Sequence, residues 1–160
     1  MSAGSQLEVR SGLVSIVIPV FNRVAMLAEA VASAESQSYS PIEILLVDDG
    51  STDETGSACD EFASRNPERV RALHQANAGP GAAREAGRRA ARGEFLQYLD
   101  SDDLLYPEKL ERQVAALRAA PEAGIAYCWT RLRRSDGSVV EGPWKGSGQK
   151  RETMFPWFLT

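Results

Sequence analysis

Three carboxylates lie within four positions directly after a short apolar run. Asp100, Asp102 and Asp103 follow residues 95–99, whose composition predicts a buried strand. Carboxylates this close repel one another and raise each other's pKa. Hard cations such as Mg²⁺ and Mn²⁺ bind about one or two protein carboxylates together with oxygens of a substrate phosphate. The pattern predicts either a divalent-cation site or, alternatively, side chains that cap the next helix.

A second acidic pair follows another apolar run. Asp48 and Asp49 come after residues 42–47 and precede Gly50. Acidic residues and glycine are common turn formers, which is one interpretation of this segment. The other is that a carboxylate here accepts hydrogen bonds from the N–H of a nucleobase or from a ribose hydroxyl. These residues alone leave both interpretations open.

Apolar segments alternate with helical patterns along most of the chain. The predicted strands are residues 14–20, 42–47, 70–73, 95–99 and 125–129. Four helices are predicted: the first is capped by Asn22, the second follows a capping box of Ser51 and Glu54, and the others begin at residue 82 and at Pro107. Asp136-Gly137 predicts a hairpin. This alternation predicts an α/β fold with a mainly parallel, Rossmann-like sheet flanked by helices. Because parallel strands end at one edge, both acidic groups are expected on the same edge of the sheet.

The residues between the acidic groups match no standard phosphate-binding loop. Residues 77–81, NAGPG, lack the third glycine of G-x-G-x-x-G and the lysine of a P-loop. Arg84 and Arg88 share a face of the next predicted helix, where a solvated basic face is the simpler expectation. His74, the single histidine, is expected to be hydrogen-bonded at a strand end.

Composition limits the class of protein. The chain has 160 residues, of which 43% are hydrophobic, and a formal net charge of -4. We therefore expect a single domain over residues 13–160 and no nucleic-acid partner. No apolar run approaches the ~20 residues of a membrane span and no signal peptide is visible, so membrane association is not indicated and a cytoplasmic location is expected. Cys59 and Cys128 are expected to be buried free thiols.

The two ends of the chain carry separate expectations. Residues 1–12 are small and polar, which predicts a disordered leader. Residues 153–160 are apolar and aromatic. Such a patch predicts that a partner, or a further segment of the natural protein, packs on it.

Four sequence blocks, taken together and in order, resemble those of a known family. The blocks are VSIVIPVFNR, LLVDDGSTDET, NAGPGAAREAG and GEFLQYLDSDDLLYPEKL. They resemble the family 2 glycosyltransferases of the GT-A fold. The resemblance implies transfer of a sugar from a nucleoside-diphosphate donor, a UDP-sugar by default, with inversion at the anomeric carbon. The acceptor would be a hydroxyl of a saccharide, lipid or protein, and Mg²⁺ or Mn²⁺ would be the cofactor.

The first two blocks match the family's nucleoside-binding positions. Pro19 and Phe21 match the loop that holds the nucleoside, and Phe21 stands where an aromatic ring often stacks on the base. Asp48 and Asp49 match the acidic pair that hydrogen-bonds the base.

The last two blocks match the diphosphate and metal positions. Gly79 and Arg84 match the loop and helix start near the base and diphosphate. Asp100 and Asp102 match the D-x-D motif, in which Asp100 would meet the ribose or metal and Asp102 the metal. Asp103 is a second candidate for the metal.

Two departures from the family pattern leave alternatives open. Glu85 stands where the family often has an asparagine. The family's catalytic base lies in a later motif, commonly Glu-Asp, which this chain lacks after its fifth predicted strand. The base is therefore expected beyond Thr160. We also expect the GT-A fold to be incomplete at its C-terminus, with its acceptor portion beyond Thr160. The alternatives are a non-catalytic nucleotide-sugar-binding or interaction module and, because LLVDDG resembles their acidic pair, a receiver-like phosphoacceptor domain.

Overall fold

Four parallel strands form the sheet that carries both acidic groups. The computed structural model describes residues 8–128, 130–133, 136 and 138–141. The strands are β1 (Arg10–Val20), β2 (Ile42–Asp48), β3 (Val70–His74) and β4 (Gly93–Tyr98), in the order β3-β2-β1-β4. All three neighbouring pairs are parallel. The predicted parallel sheet of an α/β fold is therefore confirmed.

The central strands form because their side chains are buried on both faces. All seven residues of β2 are buried, as are the last nine of β1. Continuous runs of Ile, Val and Leu are typical of parallel strands covered on both sides. β1 begins at Arg10, before the predicted start at Val14, and so includes the last three residues of the predicted leader. Residues 1–7 lie outside the described part of the chain.

In the described part of the chain, four helices connect the strands or follow them. They are α1 (Val24–Glu35), α2 (Thr55–Arg65), α3 (Pro80–Ala90) and α4 (Lys109–Ala119). α1 buries Leu27, Ala30, Val31 and Ala34, the spacing of one helical face. α3 begins at Pro80 rather than at residue 82, since proline suits the first helical position. α4 begins two residues after Pro107, so the prediction of Pro107 as its first residue is wrong.

The predicted caps of α1 and α2 are wrong for one shared reason. The Asn22 side chain accepts a hydrogen bond from the Thr52 amide at 2.8 Å instead of capping α1. The Ser51 hydroxyl accepts one from the Asn22 amide at 3.0 Å instead of joining Glu54 in a capping box. The loops after β1 and β2 lie side by side, because their strands are neighbours. Polar groups that would cap their own helix therefore find partners in the adjacent loop.

Gly87 lets α3 approach the sheet closely. A Cβ atom at this position would lie 2.3 Å from Cγ1 of Val17 on β1 and 3.2 Å from Cγ2 of Val47 on β2. Real Cβ atoms do not reach such distances, so only glycine allows this separation between helix and sheet. The close packing sets the position of Arg84, three residues earlier on α3.

The strand order brings the sequence-predicted groups to one place. β2 and β3 lie on one side of β1, whereas β4 lies on the other. The carboxyl ends of β1 and β4 therefore form a topological switch point, where ligands of open α/β sheets commonly bind. Residues 48–49 and 100–103 follow β2 and β4 at that same edge, as predicted from the sequence.

The chain divides into two compact units, residues 1–111 and 112–160. In the second unit, β5 (Arg131–Arg133) and β6 (Val139–Glu141) pair antiparallel, which confirms the predicted hairpin. Residues 125–128 are not a strand, so that prediction is wrong; a short apolar run satisfies the pattern but does not supply a pairing partner. Trp129, Gly137 and the apolar residues 153–160 lie outside the described residues. A single domain over residues 13–160 stays a prediction.

Two simpler expectations meet the structure differently. Cys59 on α2 is a buried free thiol, whereas Cys128 is free and exposed, so its predicted burial is wrong. Within the described ranges, we find no helix with the length and apolarity needed to span a bilayer. The cytoplasmic location stays a prediction.

Candidate functional site

Asp49 is a buried carboxylate that holds the loop before α3. It is 3% exposed. Its Oδ1 accepts hydrogen bonds from Gln75 Nε2 at 2.7 Å and from the Ala78 amide at 2.9 Å. Its Oδ2 accepts one from the Gly79 amide at 2.8 Å. Since each carboxylate oxygen has two lone pairs, Oδ2 retains room for one further donor, such as a nucleobase N–H.

The charge of Asp49 is stabilised by the same contacts. Burial alone raises the pKa of this carboxyl group, but the hydrogen bonds from Ala78, Gln75 and Gly79 outweigh it and lower the pKa below its ordinary value. Asp49 is therefore an ionised acceptor fixed in direction by three donors.

Asp48 faces different partners. Its Oδ1 accepts a hydrogen bond from the Ser51 amide at 3.1 Å, and its Oδ2 lies 3.2 Å from Nδ1 of His74. His74 Nε2 lies 2.9 Å from Oδ1 of Asp60 on α2. The hydrogen bonds to Asp60 and then to Asp48 raise the pKa of His74. The expected hydrogen-bonded histidine at a strand end is confirmed, and His74 links Asp48 at the end of β2 to Asp60 on α2.

Two glycines shape the loops around Asp49. Gly50 has φ +74°, and a Cβ there would lie 2.7 Å from the Asn77 nitrogen. Gly79 has φ +88° and precedes the first residue of α3. Both conformations disfavour residues with a side chain, so the backbones after β2 and before α3 can pass close to each other.

An exposed aromatic ring follows the strand between the two acidic groups. Pro19 is buried within β1, in register with Val47. Phe21 comes directly after β1 and is 43% exposed. The Asp49 amide donates to the Val20 carbonyl at 2.9 Å, which places Asp49 and Phe21 at adjacent strand ends. An exposed ring at this edge is available to stack on a planar ligand.

Arg84 joins α3 to the second acidic group. Its Nη2 donates to Oδ1 of Asp100 at 2.5 Å. The next residue, Glu85, pairs with Arg88 at 2.6 Å and Arg89 at 2.8 Å, and these hydrogen bonds lower its pKa to about 2. Glu85 therefore holds two other arginines on α3, which gives this departure from the family pattern a structural role.

The carboxylates after β4 form a tight turn. The Asp103 amide donates to the Asp100 carbonyl at 2.9 Å, and Arg23 Nη1 lies 3.3 Å from Oδ2 of Asp102. Partial burial and then the charges of Asp102 and Asp100 raise the pKa of Asp103. Because α4 begins at Lys109, neither Asp102 nor Asp103 precedes the helix directly. The alternative that these residues cap it is wrong.

The carboxylates fit a cation whose coordination is completed by a substrate. Among residues 8–128 and the other described positions, no group of three or more His, Cys, Asp or Glu side chains forms a ready metal cage. Mg²⁺ and Mn²⁺ sites of nucleotide enzymes need only about one or two carboxylates, because phosphate and water supply the other oxygens. The donor chemistry of Asp100 and Asp102 meets that requirement.

Sequence reasoning missed two contributors to this edge. Arg23 contacts Asp102, and Gln75 contacts Asp49. Each lies within a few residues of a strand end, Arg23 after β1 and Gln75 after β3. A polar residue shortly after a predicted strand was the sequence signal that could have identified both.

Comparison with known proteins identifies the family. The family model described as glycosyl transferase family 2 matches residues 15–156. The chain belongs to this family. This membership excludes the receiver-like alternative.

Individual glycosyltransferases cover different shares of the chain. An uncharacterized glycosyltransferase of Nostoc sp. is 32% identical over 133 residues, which are 83% of this chain and 41% of the relative. Glycosyltransferase GlyG of Streptococcus pneumoniae is 44% identical over 102 residues, 63% of this chain and 34% of the relative. The chain thus spans less than half the length of these curated relatives.

Solved structures are similar to about two thirds of the chain, and this similarity confirms the GT-A class of fold. S. aureus TarS 1-349 in complex with UDP-GlcNAc has a TM-score of 0.59 and 27% identity, over 66% of this chain and 31% of that one. Mannosyltransferase PcManGT from Pyrobaculum calidifontis, in complex with GDP-Man and Mn²⁺, has a TM-score of 0.63 and 28% identity, over 69% and 33%.

Proposed function

We propose that this chain forms the donor-binding part of an inverting, metal-dependent glycosyltransferase that uses a nucleoside-diphosphate sugar. One observation carries the proposal: Asp49, Phe21 and the turn 100–103 follow three adjacent parallel strands at one edge of the sheet. The similar proteins that hold UDP-GlcNAc or GDP-Man support it.

The nucleoside would bind over the ends of β1 and β2. Phe21 would stack on the base, in the loop that follows β1, whereas Pro19 lies inside the strand and not in that loop as the sequence predicted. Asp49 would accept a base N–H at Oδ2 while it holds the Gly79 amide. Asp48, which already contacts Ser51 and His74, would support the position of Asp49.

The diphosphate would bind between α3 and the turn after β4. Arg84 would donate to it from α3, the helix that begins after Gly79. Asp100 and Asp102 would hold Mg²⁺ or Mn²⁺, with Asp103 as a further ligand, and Asp100 would also meet the ribose. The bound cation would neutralise charge that develops on the leaving diphosphate.

An acceptor hydroxyl would attack the anomeric carbon from the side opposite the diphosphate, which inverts that carbon. Its proton would pass to a general base. We assign no base among the described residues. UDP is the first donor nucleotide to test, and saccharides, lipids and proteins are the acceptors to test.

Calorimetry with the 160-residue chain tests the donor site. We expect UDP or GDP to bind in the presence of Mn²⁺, and the Asp102→Asn variant to lose roughly tenfold in affinity, since a charged ligand to the cation is removed. Asp136→Asn is the matched control, because Asp136 lies in the turn of the second unit, where its Oδ1 accepts the Ser138 amide.

Three outcomes would count against the proposal. Wild-type protein that binds neither nucleotide with Mn²⁺ overturns the donor site. Equal losses in Asp102→Asn and Asp136→Asn overturn the metal assignment. A nucleotide sugar that binds but is never transferred or hydrolysed by the natural protein favours the non-catalytic alternative.

A further inference from the structure

Arg23 makes an ion pair with a carboxylate that the proposed function assigns to the cation. Its Nη1 lies 3.3 Å from Oδ2 of Asp102 and 3.4 Å from the sulfur of Met26. The two paired residues are 79 positions apart in sequence. The contact joins the loop after β1 to the turn after β4, across the topological switch point.

The backbone of Arg23 is fixed, whereas its side chain reaches into solvent. The Arg23 amide donates to Oγ1 of Thr55 at 3.0 Å, and Thr55 is fully buried at the start of α2. The preceding Asn22, at φ +50°, is held by Ser51 and Thr52. The side chains of Arg23 and Asp102 are 47% and 49% exposed. The guanidinium can therefore change partners without movement of the main chain.

The ion pair is of the kind that exchanges readily. Half-exposed ion pairs at this distance contribute little to stability, because water screens both charges. Asp49 differs, since it is buried and accepts three hydrogen bonds. The structure thus separates a fixed carboxylate at the end of β2 from an exchangeable one after β4.

Charge balance favours exchange rather than simple addition of a cation. Two guanidinium groups, those of Arg23 and Arg84, pair with two of the three carboxylates after β4. The five groups together carry a formal charge of -1. A divalent cation at Asp102 would meet the positive charge of Arg23, which opposes its binding. A diphosphate would supply the negative charge that the displaced guanidinium requires.

We propose that Arg23 pairs with Asp102 in the ligand-free protein, and that it exchanges this partner for the diphosphate, as a ligand-binding residue, when the cation binds Asp102. The inference rests on the proposed function, which it deepens. It follows that Arg23 weakens the binding of the cation alone and strengthens the binding of nucleotide with cation. A purely structural tie between the two loops would strengthen both.

Titration of Mn²⁺, followed by the electron paramagnetic resonance of the free ion, measures the first effect. We expect Arg23→Gln to bind Mn²⁺ without nucleotide roughly two- to fivefold more tightly than wild type, because a weak competing charge is removed. Calorimetry with UDP and with GDP at saturating Mn²⁺ measures the second. There we expect roughly tenfold weaker binding, because a charge-assisted contact to phosphate is lost.

Two further variants control the experiment. Arg23→Lys keeps the charge but not the planar fork, so we expect Mn²⁺ affinity near wild type and an intermediate loss of nucleotide affinity. Arg65→Gln makes the same change of charge on α2, where Arg65 is 63% exposed and pairs with Glu61. We expect it to match wild type in both titrations.

The outcomes separate this inference from the function on which it rests. If Arg23→Gln matches Arg65→Gln, or weakens Mn²⁺ and nucleotide alike, the exchange is refuted while the donor site stands. If wild-type protein binds neither UDP nor GDP with Mn²⁺, the donor site is refuted and the exchange with it.

Discussion

Replacement of Gly87 by alanine should loosen the packing of α3 on the sheet. The new Cβ would lie 2.3 Å from Cγ1 of Val17, whereas carbon atoms pack best at about 3.5–4.0 Å, so helix or side chain must give way by roughly 1.2 Å. Val17 is fully buried on the central strand β1, and its β-branched side chain has few alternative rotamers. The helix must therefore absorb most of the movement.

The expected cost follows from this overlap. Overpacking of a filled core typically costs about 1–3 kcal/mol. Alanine returns at most about 1 kcal/mol of helix propensity. We expect a net loss of up to about 2 kcal/mol in the free energy of unfolding, which for a unit of about 100 residues lowers Tm by up to roughly 15 °C. Because Arg84 lies on the same helix, affinity for UDP with Mn²⁺ should also fall.

Gly81 provides the matched control. It lies on the same helix, but a Cβ there meets nothing within 4 Å. Gly81→Ala should therefore stabilise the protein, by about 0.5 kcal/mol near a helix end. Urea unfolding, monitored by far-UV circular dichroism, compares the two variants with wild type. A Gly87→Ala protein as stable as Gly81→Ala would refute the close approach of α3 to β1.

Five further substitutions test the loops around the site. Asp49→Asn should destabilise the protein by about 2 kcal/mol at pH 7. Because the pKa of Asp49 is lowered in the folded protein, the stability that its charge contributes is present above the unfolded pKa of about 3.9 and is lost as pH falls through the folded pKa. The free energy of unfolding of the variant in urea should therefore vary less with pH than that of wild type below about pH 5. His74→Gln should lose stability relative to wild type at about pH 6 but less at about pH 9, because the raised pKa of His74 stabilises the fold only while the ring is protonated. Asp60→Asn, which removes one partner of His74, should lower the His74 pKa measured by NMR. Gly50→Ala should lower Tm more than Gly79→Ala. Both positions have positive φ, +74° and +88°, but only a Cβ at Gly50 meets another atom, the Asn77 nitrogen at 2.7 Å. Equal losses in Tm would show that the neighbouring backbone moves to relieve this clash.

The sequence by itself determined the sheet and its acidic edge. Strands such as β2 are continuous runs of buried Ile, Leu and Val, a signal that depends only on neighbours in the chain. Once the strands are parallel, residues that follow them must share an edge, so the proximity of residues 48–49 and 100–103 required no coordinates. The family blocks then indicated which of these residues to examine.

The short apolar run at 125–128 shows the limit of such signals. Its composition predicted a short strand, yet residues 125–128 form none. Pairing requires a neighbouring edge, and periodicity in one segment carries no information about that neighbour. The hairpin of β5 and β6 was predictable, because its two strands are joined by a local turn.

The tertiary structure alone decided the partner of each polar group. Asn22 and Ser51 pair with each other's loops instead of capping α1 and α2. Arg23 reaches Asp102, 79 residues away. Such contacts depend on the order β3-β2-β1-β4, which places loops side by side that are distant in sequence. A hydrogen bond acts over about 3 Å in space, so local sequence patterns cannot specify which of several donors arrives there.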